Sequence, residues 1–311
     1  MKLAALDIGT NTVLLLIAEL REGKLQPIVE RATITRLGKG VDASGHLAPE
    51  AVERTLACVR DYARVIGEAG VERVAAVGTS ALRDAAEGAS FLDAAEGVLG
   101  TRPRVIDGLE EADLAFRGAL SGLPAPERVL VFDVGGGSTE VIRGRCQPEP
   151  AVESAVSLAI GSVRLHERHL RSDPPAASEI AAARHDIRAA LASAPAPGGL
   201  PIVGVAGTVT TLAAVEFGLS EYDPARVHGQ RLARSAVRAL ADRLARMTLA
   251  ERRQLPGLEP GRADVIVAGA EIVASVLEWS GQDVLLVSDR GVRWGLVERL
   301  AREEFAPSGG G

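Results

Sequence analysis

Asp133-Val134-Gly135-Gly136-Gly137-Ser138-Thr139-Glu140 follows the apolar run Val129-Leu130-Val131-Phe132 and precedes Val141-Ile142, which reads as strand, glycine turn, strand. Successive glycines let backbone N–H groups approach an anion with no Cβ in the way. Asp133 and Glu140, at the two lips of the turn, are oxygen donors suited to a divalent cation that bridges phosphate oxygens. Glycine triplets also serve plain hairpins, so this stretch alone leaves both readings open. The pattern recurs at the N-terminus, where Leu3-Ala4-Ala5-Leu6 runs into Asp7-Ile8-Gly9-Thr10-Asn11-Thr12 and then Val13-Leu14-Leu15-Leu16-Ile17. The repetition points to a duplicated domain in which two turns grip one phosphate. Two further strands break into small residues ahead of a helix: Val205-Ala206-Gly207-Thr208, whose helix amides suit an anion, and Gly78-Thr79-Ser80-Ala81-Leu82-Arg83.

The elements that must hold these groups are legible from periodicity. Leu25 to Thr35 completes a three-stranded meander. Apolar residues at three- and four-residue spacing make residues 49 to 69 an amphipathic helix, opened by Pro49 and closed by Gly70. A helix beginning at Glu110-Glu111 ends near Gly122, and Pro124-Ala125-Pro126 reads as a linker. The expected domains are therefore residues 1–124 and 125–306, with a disordered tail at 307–311. The closing helix is assigned to the second domain, although a return across the boundary stays open. The second half repeats the meander, and the apolar helix from Ala263 to Trp279 is central to it. Residues 226 to 253 carry eight arginines, read as a solvated helix face, with a track for a polyanion as the alternative. His166 and His169 have a zinc-like spacing, but no third ligand accompanies them.

The chain of 311 residues is long enough for two cores. Its formal net charge of -6 argues against nucleic acid as a partner. Two distant cysteines, Cys58 and Cys146, fit a reducing, cytoplasmic setting. Met1-Lys2 leads straight into a strand without the features of a signal peptide, and no apolar run is long enough to span a bilayer.

In combination these stretches, with Gly108-Leu109-Glu110-Glu111-Ala112 and Ser288-Asp289-Arg290-Gly291-Val292-Arg293-Trp294-Gly295, resemble the exopolyphosphatase / guanosine pentaphosphate phosphatase (Ppx/GppA) family of the actin, Hsp70 and sugar-kinase superfamily. The resemblance spans nearly the whole chain. It implies an α/β protein of two duplicated ribonuclease H-like domains (the actin-like ATPase fold) with the active site in the interdomain cleft. It further implies a homodimeric, magnesium-dependent hydrolase, with Mn2+ as a substitute, that releases the terminal phosphate of inorganic polyphosphate. The near alternative is hydrolysis of pppGpp to ppGpp; a superfamily kinase or ATPase and a non-catalytic ppGpp- or polyphosphate-binding protein are the readings of other classes.

Carried over residue by residue, the resemblance makes Glu111 the carboxylate that orients and deprotonates the attacking water, with Glu110 as fallback. The bland alternative is a solvated acid favoured by the helix dipole. Arg83 is expected to grip the transferring phosphate with its planar fork, against the alternative of a surface ion pair. Asp133 and Glu140, with Asp7 acting through water, would hold the metal. Thr10, Asn11, Thr12, Gly135, Gly136, Gly137, Ser138, Gly207 and Thr208 would supply neutral donors, although turn chemistry explains each singly. Asp107 stands where the family has Ser, and is expected to add a carboxylate near the site.

Overall fold

The computed structural model describes residues 1–124 and 126–305; the expected tail at 307–311 lies outside the described residues. The chain divides into two compact units, Met1–Gly118 with the C-terminal segment from Val292, and Ala119–Gly291.

In the first unit β1 (Lys2–Ile8), β2 (Thr12–Arg21) and β3 (Lys24–Ile34) form the expected antiparallel meander. The short helix α1 (Val41–Ser44) and α2 (Pro49–Ala69) lead to β4 (Arg73–Gly78), which pairs parallel to β1. Then follow α3 (Ser80–Asp84), α4 (Gly88–Leu99), β5 (Arg104–Val105) and α5 (Gly108–Leu120). The sheet order is β3-β2-β1-β4-β5. Because β1 is covered on both faces it reads as a continuous apolar run rather than an alternating one. Ala4, Leu6 and Ile8 join Val59, Tyr62 and Ile66 of α2 and Phe91 of α4 in one core.

The second unit repeats the scheme with β6 (Arg128–Val134), β7 (Thr139–Arg145) and β8 (Ala151–Leu158), then α6 (Ser162–His169) and α7 (Ala177–Leu191). Parallel β9 (Ile202–Val205) and α8 (Ala206–Glu216) follow, then α9 (Pro224–Val227), β10 (Arg231–Ala233), α10 (Arg234–Arg246), α11 (Leu249–Arg252), α12 (Ile266–Ser280) and β11 (Val284–Val287). Its order, β8-β7-β6-β9-β11, matches that of the first sheet and ends in an extra antiparallel edge strand, β10. Each unit is thus a ribonuclease H-like sheet, and the duplication is real. The structure breaks the arginine-rich segment into four short elements. Arg231–Ala233 pairs with β11, a tertiary contact that no local periodicity announces. As expected, α12 is buried almost all round.

The last helix, α13 (Val292–Phe305), packs on β1, β2 and β4 and so belongs to the first unit, not to a domain spanning 125–306. Gly295 explains the fit: a Cβ there would stand 2.1 Å from the Leu114 carbonyl oxygen of α5. Among the described residues no helix is long and apolar enough to cross a membrane.

Candidate active site

The repeated turn closes identically in both units. Gly9 donates its N–H to the Thr12 carbonyl at 3.0 Å, and Gly135 donates to the Ser138 carbonyl at the same distance. A Cβ on either glycine would press on that carbonyl oxygen, at 3.0 and 3.1 Å.

In the first unit β1 delivers Asp7 to the start of the turn, where it is 9% exposed. Among the described residues Asp7 Oδ1 and both amide atoms of Asn11 have no hydrogen-bond partner although they are buried. Such orphaned groups demand an explanation, and a ligand supplies one. Burial and the neighbouring Glu111 push the Asp7 carboxyl up to about 7, while Arg293 pulls the other way. Arg293 is itself held by Glu30, with Nη2 to Oε2 at 2.7 Å. Sequence reasoning gave Arg293 no role. Its position in the last motif was the available signal.

Arg83 comes from α3, immediately after β4, and Glu111 from the first turn of α5. Arg83 Nη1 donates both to the Ile106 carbonyl at 2.8 Å and to Glu111 Oε2 at 3.1 Å. Using one nitrogen for two anchors leaves the Nε and Nη2 donors for an anion. Glu111 is only 7% exposed, so the solvated-acid alternative fails. Glu110 is engaged elsewhere, by Arg104 and Arg299, whose cations hold its carboxyl below the usual range. Asp107 has a role that the sequence did not announce: its Oδ1 accepts from the Leu109 and Glu110 amides at 3.0 and 2.8 Å, capping α5. The carboxylate thereby positions Glu111's helix, one turn before Glu111 itself.

In the second unit the register aligns Asp133 of β6, Glu140 of β7 and Ser157 of β8 directly across three strands, so their side chains share one face. Ser157 Oγ donates to Glu140 Oε1 at 2.6 Å. Gly291 lies beside Asp133, its Cβ position 3.8 Å from Oδ2. At the mouth of α8, Ala206 adopts φ 70°, a left-handed conformation that is strained for a non-glycine residue. The Arg262 guanidinium lies against Gly207, its Nη1 2.3 Å from where a Cβ would stand. Arg262 is a cation at the third glycine loop that the sequence reading missed; it lies 55 residues downstream with no motif around it.

The oxygen donors fit a hard cation. Asp133 and Glu140 are like charges placed opposite one another, an arrangement that repels unless a cation or proton intervenes. Among the described residues no three carboxylate, imidazole or thiolate side chains converge as a ready-made cage. An ion held by one or two carboxylates and completed by water and substrate oxygens matches Mg2+ better than a tightly caged metal. His169 does not point to zinc: its Nε2 pairs with Asp186 at 2.8 Å. Of the arginine-rich segment, Arg234 pairs with Asp283, Arg238 with Glu271, and Arg252 is buried against Asp173.

Known proteins resemble this chain in sequence and in fold. Exopolyphosphatase 2 of Mycobacterium tuberculosis is 40% identical over 318 aligned residues, covering 96% of this chain and 98% of that protein. A crystal structure of an exopolyphosphatase-like protein superposes with a TM-score of 0.91 at 39% identity, covering 98% of this chain and 100% of the other. The Ppx/GppA family member of Aquifex aeolicus gives 0.82 at 35% identity, covering 99% of each chain. The profile of the Ppx/GppA phosphatase family matches residues 16–304, and the chain belongs to that family.

Proposed function

We propose that the protein is an exopolyphosphatase that cleaves the terminal phosphoanhydride of inorganic polyphosphate by in-line attack of water. The observation that carries this reading is buried Glu111 paired with half-buried Arg83 beside Asp7: a carboxylate largely withdrawn from water and a cation whose remaining donors suit a phosphoryl group. Glu111 orients the water and accepts its proton. Arg83 neutralises charge on the transferring group, and its anchor to Ile106 fixes its fork beforehand. The amides of Gly136, Gly137 and Ser138, and the side chains and amides of Thr10, Asn11 and Thr12, bind phosphate oxygens, with Gly207 and Thr208 at the third loop. Asp133 and Glu140, with Asp7, would hold Mg2+, and Mn2+ in its place. That ion supplies charge neutralisation on the phosphate oxygens. Cytoplasmic location and a homodimeric assembly belong to the same proposal; the first rests on the two free cysteines and the second on the family resemblance.

The test is phosphate release, with Mg2+, from short and long polyphosphate, pppGpp and ATP in parallel. Turnover of polyphosphate well above the others is expected. Turnover of pppGpp alone would make the protein the 5'-phosphatase of the alternative reading, and binding of polyphosphate without turnover would make it a sensor.

A further inference from the structure

The two glycine turns are braced from behind, and comparing the braces isolates one side chain. Behind the first turn, the Thr10 carbonyl accepts from the Gly38 amide at 2.8 Å, and the Asn11 carbonyl accepts from the amides of Thr35 and Arg36 at 3.0 and 2.9 Å. All three bonds are backbone to backbone. In the second turn Gly136 and Gly137 occupy the places of Thr10 and Asn11, three and four residues after the aspartate. The Gly136 carbonyl accepts from the Val163 and Arg164 amides at 2.9 and 3.1 Å, and the Gly135 carbonyl from Ser162 at 2.9 Å. The Gly137 carbonyl is held differently, by Arg164 Nε at 2.6 Å. Glycine is required at the matching hinge of both braces: a Cβ on Gly38 would stand 2.3 Å from Thr10 Cγ2, and one on Gly161 would stand 2.4 Å from the Gly136 oxygen.

A trans peptide points its C=O and N–H in opposite directions. Pinning the carbonyls of Gly135, Gly136 and Gly137 toward α6 therefore turns the amides of Gly136, Gly137 and Ser138 away from it as one row. Among the described residues those three amides donate to no protein acceptor. We propose that Arg164 is a positioning residue for substrate phosphate: its side chain replaces the backbone brace of the first turn and orients the Gly137–Ser138 peptide so that the Ser138 N–H binds a phosphate oxygen. The role rests on the reading of this turn as a phosphate cradle.

The experiment uses the full-length protein with Mg2+ and a short polyphosphate, comparing Arg164→Ala, Arg164→Gln and Arg164→Lys, with the Ser138 amide resonance followed during titration with inorganic phosphate. Arg164→Ala is expected to raise KM about tenfold, the effect of one charge-assisted hydrogen bond of about 1.4 kcal/mol. Its pH profile should match that of wild type, and its Ser138 resonance should no longer shift with phosphate. Arg164→Gln, which keeps a donor without the charge, should recover most of the loss. Recovery by Lys with none by Gln would overturn the proposal in favour of a direct charge contact. An unchanged KM and Ser138 response in Arg164→Ala, in a protein whose wild type hydrolyses polyphosphate, would also overturn it. A wild type inert toward polyphosphate but with a phosphate-responsive Ser138 would instead refute the functional reading and leave the brace standing.

Discussion

At the scale of single residues, the decisive feature is how differently three neighbouring acids are treated. Glu110 is paired with two arginines, Glu111 is buried against Arg83, and Asp7 is buried with its carboxyl raised to about 7. For Asp7 the folded state holds its proton more tightly than the unfolded chain. Its contribution to stability is therefore intact below about pH 4 and is lost as pH rises through about 7. In metal-free protein, Asp7→Asn should leave the melting temperature unchanged at acid pH and raise it at pH 8, where the upper bound of the gain is about 4 kcal/mol. Thermal melts in chelator at the two pH values check this, and equal effects at both would contradict it. Added Mg2+ should shrink the difference by stabilising the wild-type carboxylate. Sequence alone could nominate Glu111, Arg83 and Asp7, because their motifs survive. It did not announce that Asp107 caps α5, since capping depends on where α5 begins, and it passed over Arg262 and Arg164, whose neighbours are distant in the chain.

At the scale of elements, burial periodicity made the strands and long helices readable, and the two Asp-x-Gly turns announced the duplication. What periodicity does not carry is tertiary pairing. β10 exists because three residues find β11, and Glu271 sits in an apolar helix at 0% exposure because α7 and α10 each bring it an arginine. Arg184 clasps Glu271 through Nε and Nη2 at 2.8 and 2.9 Å, and Arg238 adds a contact at 2.6 Å. Both arginines keep Asp242 as a partner and reach solvent in part, so Glu271→Ala should destabilise the protein by about 1–3 kcal/mol while leaving KM for polyphosphate unchanged. Urea unfolding together with steady-state kinetics measures both. Gly161→Ala has the opposite character. Its Cβ would drive α6 off the glycine turn, so binding of substrate should weaken even in the fraction that remains folded. A variant with native KM would show that the turn does not need its brace.

At the scale of the whole molecule, the chain leaves its first unit after Gly118 and returns at Val292, so only the second unit is continuous in sequence. The expected boundary near Pro124 fell close to the outward crossing. The return was not decided by sequence, because a terminal amphipathic helix fits either core until the contact of Gly295 with Leu114 is known. A fragment spanning residues 119–291, which contains its own core, should unfold cooperatively. A fragment of residues 1–118 lacks the helix that covers β1, β2 and β4, and should not. The central claim is that Glu111 activates water for attack on a terminal phosphate. The most direct measurement is single-turnover phosphate release from polyphosphate with Mg2+ by wild type and Glu111→Gln, both verified as folded. The account predicts a loss of about 10²–10⁴-fold in the chemical step with polyphosphate binding retained. A Glu111→Gln protein that releases phosphate at the wild-type rate would contradict it.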